Sequence, residues 1–150
     1  MTDAALPLAG LPDPDRRPEF YRSVPAKRAM AWVIDVTIIA VAAVLVLPFT
    51  AFTGLLFFPL LMMLIGFAYR WATLASGSAT WGMRVMAIEI RDHEGRRLSP
   101  GTALAHTAGY TFSVVTAPLQ LLSIGAMALT PRGQGLTDLV LGTTALNRAA

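Results

Sequence analysis

KRAMAWVIDVTIIAVAAVLVL, residues 27–47, decides the fold. From Ala29 to Leu47 it offers 19 residues with one charge, and at ~1.5 Å per residue an α-helix of that length covers about 28 Å, close to the hydrocarbon thickness of a bilayer. The one charge is Asp35, about two turns inside the basic edge made by Lys27 and Arg28. A bare carboxylate in hydrocarbon is unfavourable by several kcal/mol, so Asp35 needs a partner. Arg28 and Asp35 stand seven residues apart and share a helix face, which makes Arg28 one candidate and a donor from another helix the alternative.

The rest of the chain has the same character. Of its 150 residues 55% are hydrophobic and 14% charged, where a soluble domain has roughly 25% charged. Asp35 is the only charged residue between Ala29 and Tyr69, and residues 98–131 carry none. Blocks of that length exceed what a core helix needs, so the sequence describes an integral membrane protein, mainly α-helical. The net charge of +3 comes from arginines outside these blocks, among them Arg16, Arg17, Arg22, Arg70, Arg84, Arg91, Arg96 and Arg97. Such flanks are expected to face an anionic cytoplasmic leaflet and its lipids. No basic stripe or aromatic platform accompanies them, so nucleic acid is not expected as a partner. Cysteine is absent, which removes disulfides and thiolate chemistry.

Working outward, residues 1–26 are polar and contain five prolines, and they are expected to form a disordered cytoplasmic arm without the apolar core of a secretory signal. The membrane domain is expected over 27–147. Its first helix covers about 27–47. A second, over about 50–70, follows so closely that the two must form an antiparallel transmembrane hairpin, with Pro59 kinking the second helix. Tyr69, Trp71 and Trp81 read as an interfacial aromatic belt beside Arg70. Alternation in Met86 to Arg91, then Asp92-His93-Glu94-Gly95, predicts a cytoplasmic β-hairpin over about 84–99.

Ser99-Pro100 is a helix start, and a third helical segment follows over about 100–130. It is too short for two full spans and is divided by Gly109, Pro118 and Gly125. It either spans once, leaving the carboxyl end outside, or re-enters with Pro118 near its tip and returns the carboxyl end to the cytoplasm. In the second case the run LVLGTTAL, residues 139–146, gives a short helix and a strand able to pair with the strand near 84–90, and Asp138 comes near the basic mouth of the first helix.

Arg28, Asp35 and the acid in GLTDLVLGT, together with TWGMRVMAIEIRDHEGRRLS (residues 80–99), resemble the RDD family of bacterial membrane proteins, named for one arginine and two aspartates. The resemblance runs from about Lys27 to Leu146. It departs at Met83, where many members have lysine. It implies Arg28, Asp35 and Asp138 as the candidate ion- or proton-binding site, since a few members are associated with sodium– or lithium–proton exchange. Location in the bacterial inner membrane, multi-pass with the amino terminus in the cytoplasm, goes with it.

Two functions follow. In one, the Arg28-Asp35-Asp138 cluster is architectural in an accessory or interaction protein, which works as a homo-oligomer or in a larger membrane complex. In the other, the same residues serve a small oligomeric sodium (lithium)–proton exchanger. His106 has no second ligand at i+3 or i+4 and is expected to bond a backbone or threonine partner. His93 in its turn is expected to be solvated, and no metal or cofactor is expected. Neither a catalytic triad nor a nucleotide loop is present, so an enzyme is not expected.

Overall fold

The computed structural model describes residues 10–148. Its long helices are α1 (Val24–Val46), α2 (Phe58–Gly77), α4 (Pro100–Val115) and α5 (Ala117–Leu129), with short helices α3 (Trp81–Val85) and α6 (Leu136–Leu141) and strands β1 (Ile88–Arg91) and β2 (Thr144–Asn147). By length and composition α1 and α2 are each sufficient to cross a membrane, and α4 with α5 pass the same test as a bent pair. Large apolar side chains on them are open, for instance Val33, Leu64, Phe112 and Leu121, which only an apolar surround would satisfy.

Proline placement sets the helix boundaries. Pro25 lies in the first turn of α1, where its missing N–H is no loss. Pro48 falls in the 3-10 turn Leu47–Thr50 that ends α1, and Ala51 and Phe52 follow with left-handed backbones that reverse the chain. Pro59 sits in the first turn of α2, so it starts that helix rather than kinking it. The second helix is thereby shifted from the expected 50–70 to Phe58–Gly77. Gly66 faces Ile39, and a Cβ there would stand 3.4 Å from Ile39 Cδ1, so the two helices approach closely at this level.

The β element differs from the expected hairpin. β1 pairs antiparallel with β2, Ile88 against Asn147 and Arg91 against Thr144, while the return chain gives only the single bridge Arg91–Arg97. Burial explains the choice. Ile88 and Ile90 are fully enclosed, and β2 supplies Ala145 and Leu146, whereas the return chain offers Arg96 and Arg97. The Asp92–Gly95 turn is made as expected, with Asp92 Oδ1 accepting from the Glu94 and Arg96 N–H groups.

At Thr116 the chain bends by 116° between α4 and α5, with Pro118 in the first turn of α5. The chain then runs through α6 to β2, so the carboxyl end lies beside β1. The main core gathers at this end of the molecule, from Val24, Ala31, Leu74, Ala79, Met83, Ile88, Ile90, Leu98, Ala103 and Ala145.

The amino-terminal arm is more ordered than its composition implies. Residues 1–9 of the expected disordered segment lie outside the described residues, but from residue 10 the chain is held. Leu11 and Tyr21 pack with Leu146, Tyr21 donates to the Pro12 carbonyl at 2.6 Å, and Asn147 Nδ2 donates to the Glu19 and Arg22 carbonyls. The prolines allow only the 3-10 turn Pro18–Phe20 before α1 begins at Val24, but a prolyl chain can still lie as a strap over a strand edge.

Candidate functional site: two buried carboxylates beside one cavity

Asp35 is 1% exposed and lies midway along α1. Its Oδ1 accepts from the Tyr69 hydroxyl at 2.7 Å and the Gly82 N–H at 2.9 Å, and its Oδ2 accepts from the Thr80 hydroxyl at 2.6 Å. Arg70 Nη1 stands 3.8 Å from Oδ2, an ion pair without a hydrogen bond. The local sequence makes this possible. Thr80 caps α3 by accepting from the Met83 N–H, which points the start of the helix at α1. Gly82 has no alternative, since a Cβ would overlap the Ala31 carbonyl and stand 2.7 Å from Asp35 Oδ1.

Asp138, fully buried in the first turn of α6, is similarly enclosed. Oδ1 accepts from the Thr143 hydroxyl at 2.8 Å and meets His106 Nε2 at 3.0 Å, and Oδ2 accepts from Arg28 Nη1 at 2.5 Å and the Gly135 N–H at 3.1 Å. The acceptor role of the carboxylate assigns the Nε2 proton to His106. Burial alone would raise the Asp138 pKa, but the Arg28 charge and the bonds from His106 and Arg28 outweigh it and hold the carboxyl well below the ordinary range.

The structure therefore divides the three candidate residues. Arg28 and Asp138 form a pair, as the proximity of Asp138 to the mouth of α1 anticipates. Arg28 does not serve Asp35, whose donors come from α2, the α2–α3 turn and α3. His106 finds a carboxylate instead of the backbone or threonine partner expected for it. His93 is 49% exposed in its side chain and stands 3.6 Å from Glu94, in keeping with a solvated turn.

Arg70 and Tyr69 are the residues that sequence reasoning placed in an aromatic belt and did not connect to Asp35. The expected end of the second helix at about 70 hid the link. With α2 running to Gly77, Arg70 lies two turns inside that end and Asp35 about three turns inside the matching end of α1, so they share a level.

Both networks border one cavity of about 640 Å³, whose lining includes Arg28, Asp35, Arg70, His106 and Asp138 among mostly apolar residues of α1, α4 and α5. Chemically, the two carboxylates offer little to a cation there. Each already faces four donor groups, and no group of three or more His, Cys, Asp or Glu side chains placed to hold a metal occurs among the described residues.

No curated protein and no solved structure is found to match the chain. A family model does, that of the RDD family, over residues 22–142, a stretch that holds Arg28, Asp35, Asp138 and all their named partners but Thr143. The chain belongs to the RDD family.

Proposed function

We propose that this is a multi-pass protein of the bacterial inner membrane, with its amino terminus in the cytoplasm, acting as an accessory or interaction subunit whose buried charge networks are architectural. The observation carrying this is the crowding of both carboxylates by donors, four hydrogen bonds at Asp138 and three with the Arg70 charge beside them at Asp35. A transport acid must lend lone pairs to a cation, together with other oxygen ligands. Here Asp35 and Asp138 are surrounded by N–H and O–H groups, and each ties together elements far apart in sequence, α1 to α2 and α3 in one case and α1 to α4 and α6 in the other. Polar bonds between helices in an apolar surround fix one packing arrangement among several of similar apolar area.

On this assignment α4 and α5 form a re-entrant pair that brings the carboxyl end back to the cytoplasmic side. The apolar flanks contact lipid, other copies of the chain, or a larger membrane complex.

Sodium (lithium)–proton exchange by an oligomer is the second reading. One observation favours it, the presence of both acids on the wall of the same cavity. Thermal unfolding and proton flux in proteoliposomes under an imposed sodium or lithium gradient separate the two. The architectural role predicts that Asp35→Asn and Asp138→Asn lose thermal stability and that the wild type moves no protons in response to the gradient. Cation-dependent proton flux in the wild type, lost in a still-folded Asp35→Asn protein, would sink it.

A further inference from the structure

Arg70 is the buried charge that the two networks leave short of partners. Its side chain is 9% exposed, its ion pair with Asp35 is 3.8 Å long, and its Cζ lies 4.1 Å from the centroid of the Tyr110 ring. Its Nη2 is buried with no hydrogen-bond partner among the described residues. A guanidinium removed from water and left with an unmade hydrogen bond is unfavourable, and it points to a missing acceptor.

Arg70 also stands at a junction. Besides the cavity of about 640 Å³ it borders a second of about 490 Å³, and the two share Trp32, Arg70, Tyr110 and Val114 in their walls. Trp32 Nε1 donates to the Tyr110 hydroxyl at 2.7 Å, so a single hydrogen bond lies across the boundary. In the second cavity Arg70 is the only charged lining residue, and apart from Trp32, Tyr110 and Thr111 the remaining wall is apolar down to Pro59 at the far end of α2. From Arg70 to Pro59 the helix climbs about 16 Å at ~1.5 Å per residue, about the depth of one leaflet of a bilayer with a hydrocarbon core of ~30 Å.

We propose that this site binds an amphiphile with one anionic oxygen head, a carboxylate or a phosphodiester, on Arg70 and one acyl chain in the second cavity. The head carries at most one negative charge, because Asp35 at 3.8 Å already offsets part of the Arg70 charge and Arg28 is committed to Asp138. A second negative charge would stand unbalanced in an apolar wall. A cation is disfavoured by the donors and arginines around both carboxylates, and a water-soluble solute by the mostly apolar lining. Two sources carry the shared chemistry, a free fatty acid and an anionic phospholipid of the surrounding leaflet. The proposal does not depend on whether the charge networks are architectural or transporting.

Trp32, in the wall of both cavities, reports occupancy. The full-length protein is reconstituted in phosphatidylcholine vesicles and titrated separately with oleate, phosphatidylglycerol and phosphatidylcholine, each brominated on the acyl chain. Trp32 quenching is taken as the difference between wild type and Trp32→Phe. Saturable quenching is expected from an anionic probe and only gradual, unsaturable quenching from brominated phosphatidylcholine. Quenching by oleate alone assigns the site to a free fatty acid, and by phosphatidylglycerol alone to a phospholipid. Arg70→Gln, which leaves the three hydrogen bonds of Asp35 in place, should weaken the anionic probe about tenfold or more, as loss of a charge-assisted bond implies. Val114→Phe keeps every charge but narrows both cavities, and it should weaken binding even if the arginine variant fails to fold. Equal quenching by the zwitterionic and anionic probes would overturn the proposal, as would undiminished saturable quenching in a folded Arg70→Gln protein or in Val114→Phe.

Discussion

At the residue scale the decisive quantity is how many donors a buried carboxylate collects. Asp138 has a pKa held below the ordinary value of about 3.9, so it binds fewer protons folded than unfolded near that pH. Its contribution to stability is therefore fully present above about pH 4 and falls away as the pH drops from there toward the lower folded value. Thermal unfolding of the detergent-solubilised protein between pH 3 and 7 should show this acid loss, and Asp138→Asn should flatten it. The same substitution leaves Arg28, whose side chain is 12% exposed, without its counter-charge. Its cost at neutral pH should be about 3 kcal/mol, the size of a broken buried pair, and a loss under 1 kcal/mol in a denaturant titration would contradict the pairing.

At the element scale, short pieces of regular structure are held by caps and by backbone that tolerates sharp turns. α3 has five residues and cannot persist through helix propensity. The Thr80 hydroxyl accepts from Met83 N–H and donates to Asp35, so Thr80→Ala removes a cap and a buried bond together. A loss of about 2 kcal/mol follows from about 1 for each, and hydrogen exchange should quicken at Trp81–Val85 while the centre of α2 is unchanged. The opposite sign is expected at Ala87. It is exposed and left-handed (φ 56°) between α3 and β1, a conformation that is unfavourable for a residue with a Cβ. Ala87→Gly should stabilise by about 0.5 kcal/mol, the relief of that strain less the added freedom of the unfolded chain, read as a raised unfolding midpoint.

At the scale of the whole molecule, α1 packs on α2, α4 and α5 bend by 116° at Thr116, and β2 returns to β1. The amino-terminal strap, the sheet and the α2–α4 connection thus lie at one end, and the Ala51–Phe52 turn lies at the other. On the proposed topology, with the amino terminus in the cytoplasm, single cysteines introduced into this cysteine-free chain should report the same division. Glu94→Cys and Arg148→Cys should resist a membrane-impermeant maleimide in intact cells, after removal of the outer membrane, and Phe52→Cys should react. Labelling at position 148 without labelling at 94 would mean that α4 and α5 cross once instead of turning back.

By itself the sequence determined the elements that depend on local composition. Two blocks with a single charge between them dictated helices in an apolar surround, Ser99-Pro100 dictated the start of α4, and Asp92–Gly95 dictated a turn, because hydropathy, caps and turn chemistry act over a few residues. The order of Arg28, Asp35 and GLTDLVLGT also carried the family resemblance, since it is a matter of spacing alone. Partner choice was decided only in three dimensions. Asp35 took Tyr69, Thr80, Gly82 and Arg70, while Arg28 took Asp138, 110 residues away, and β1 took a carboxyl-terminal strand over its own return chain. Those pairings follow from which surfaces bury most and which donors remain unmet once the helices pack, a competition among distant segments that no local window contains.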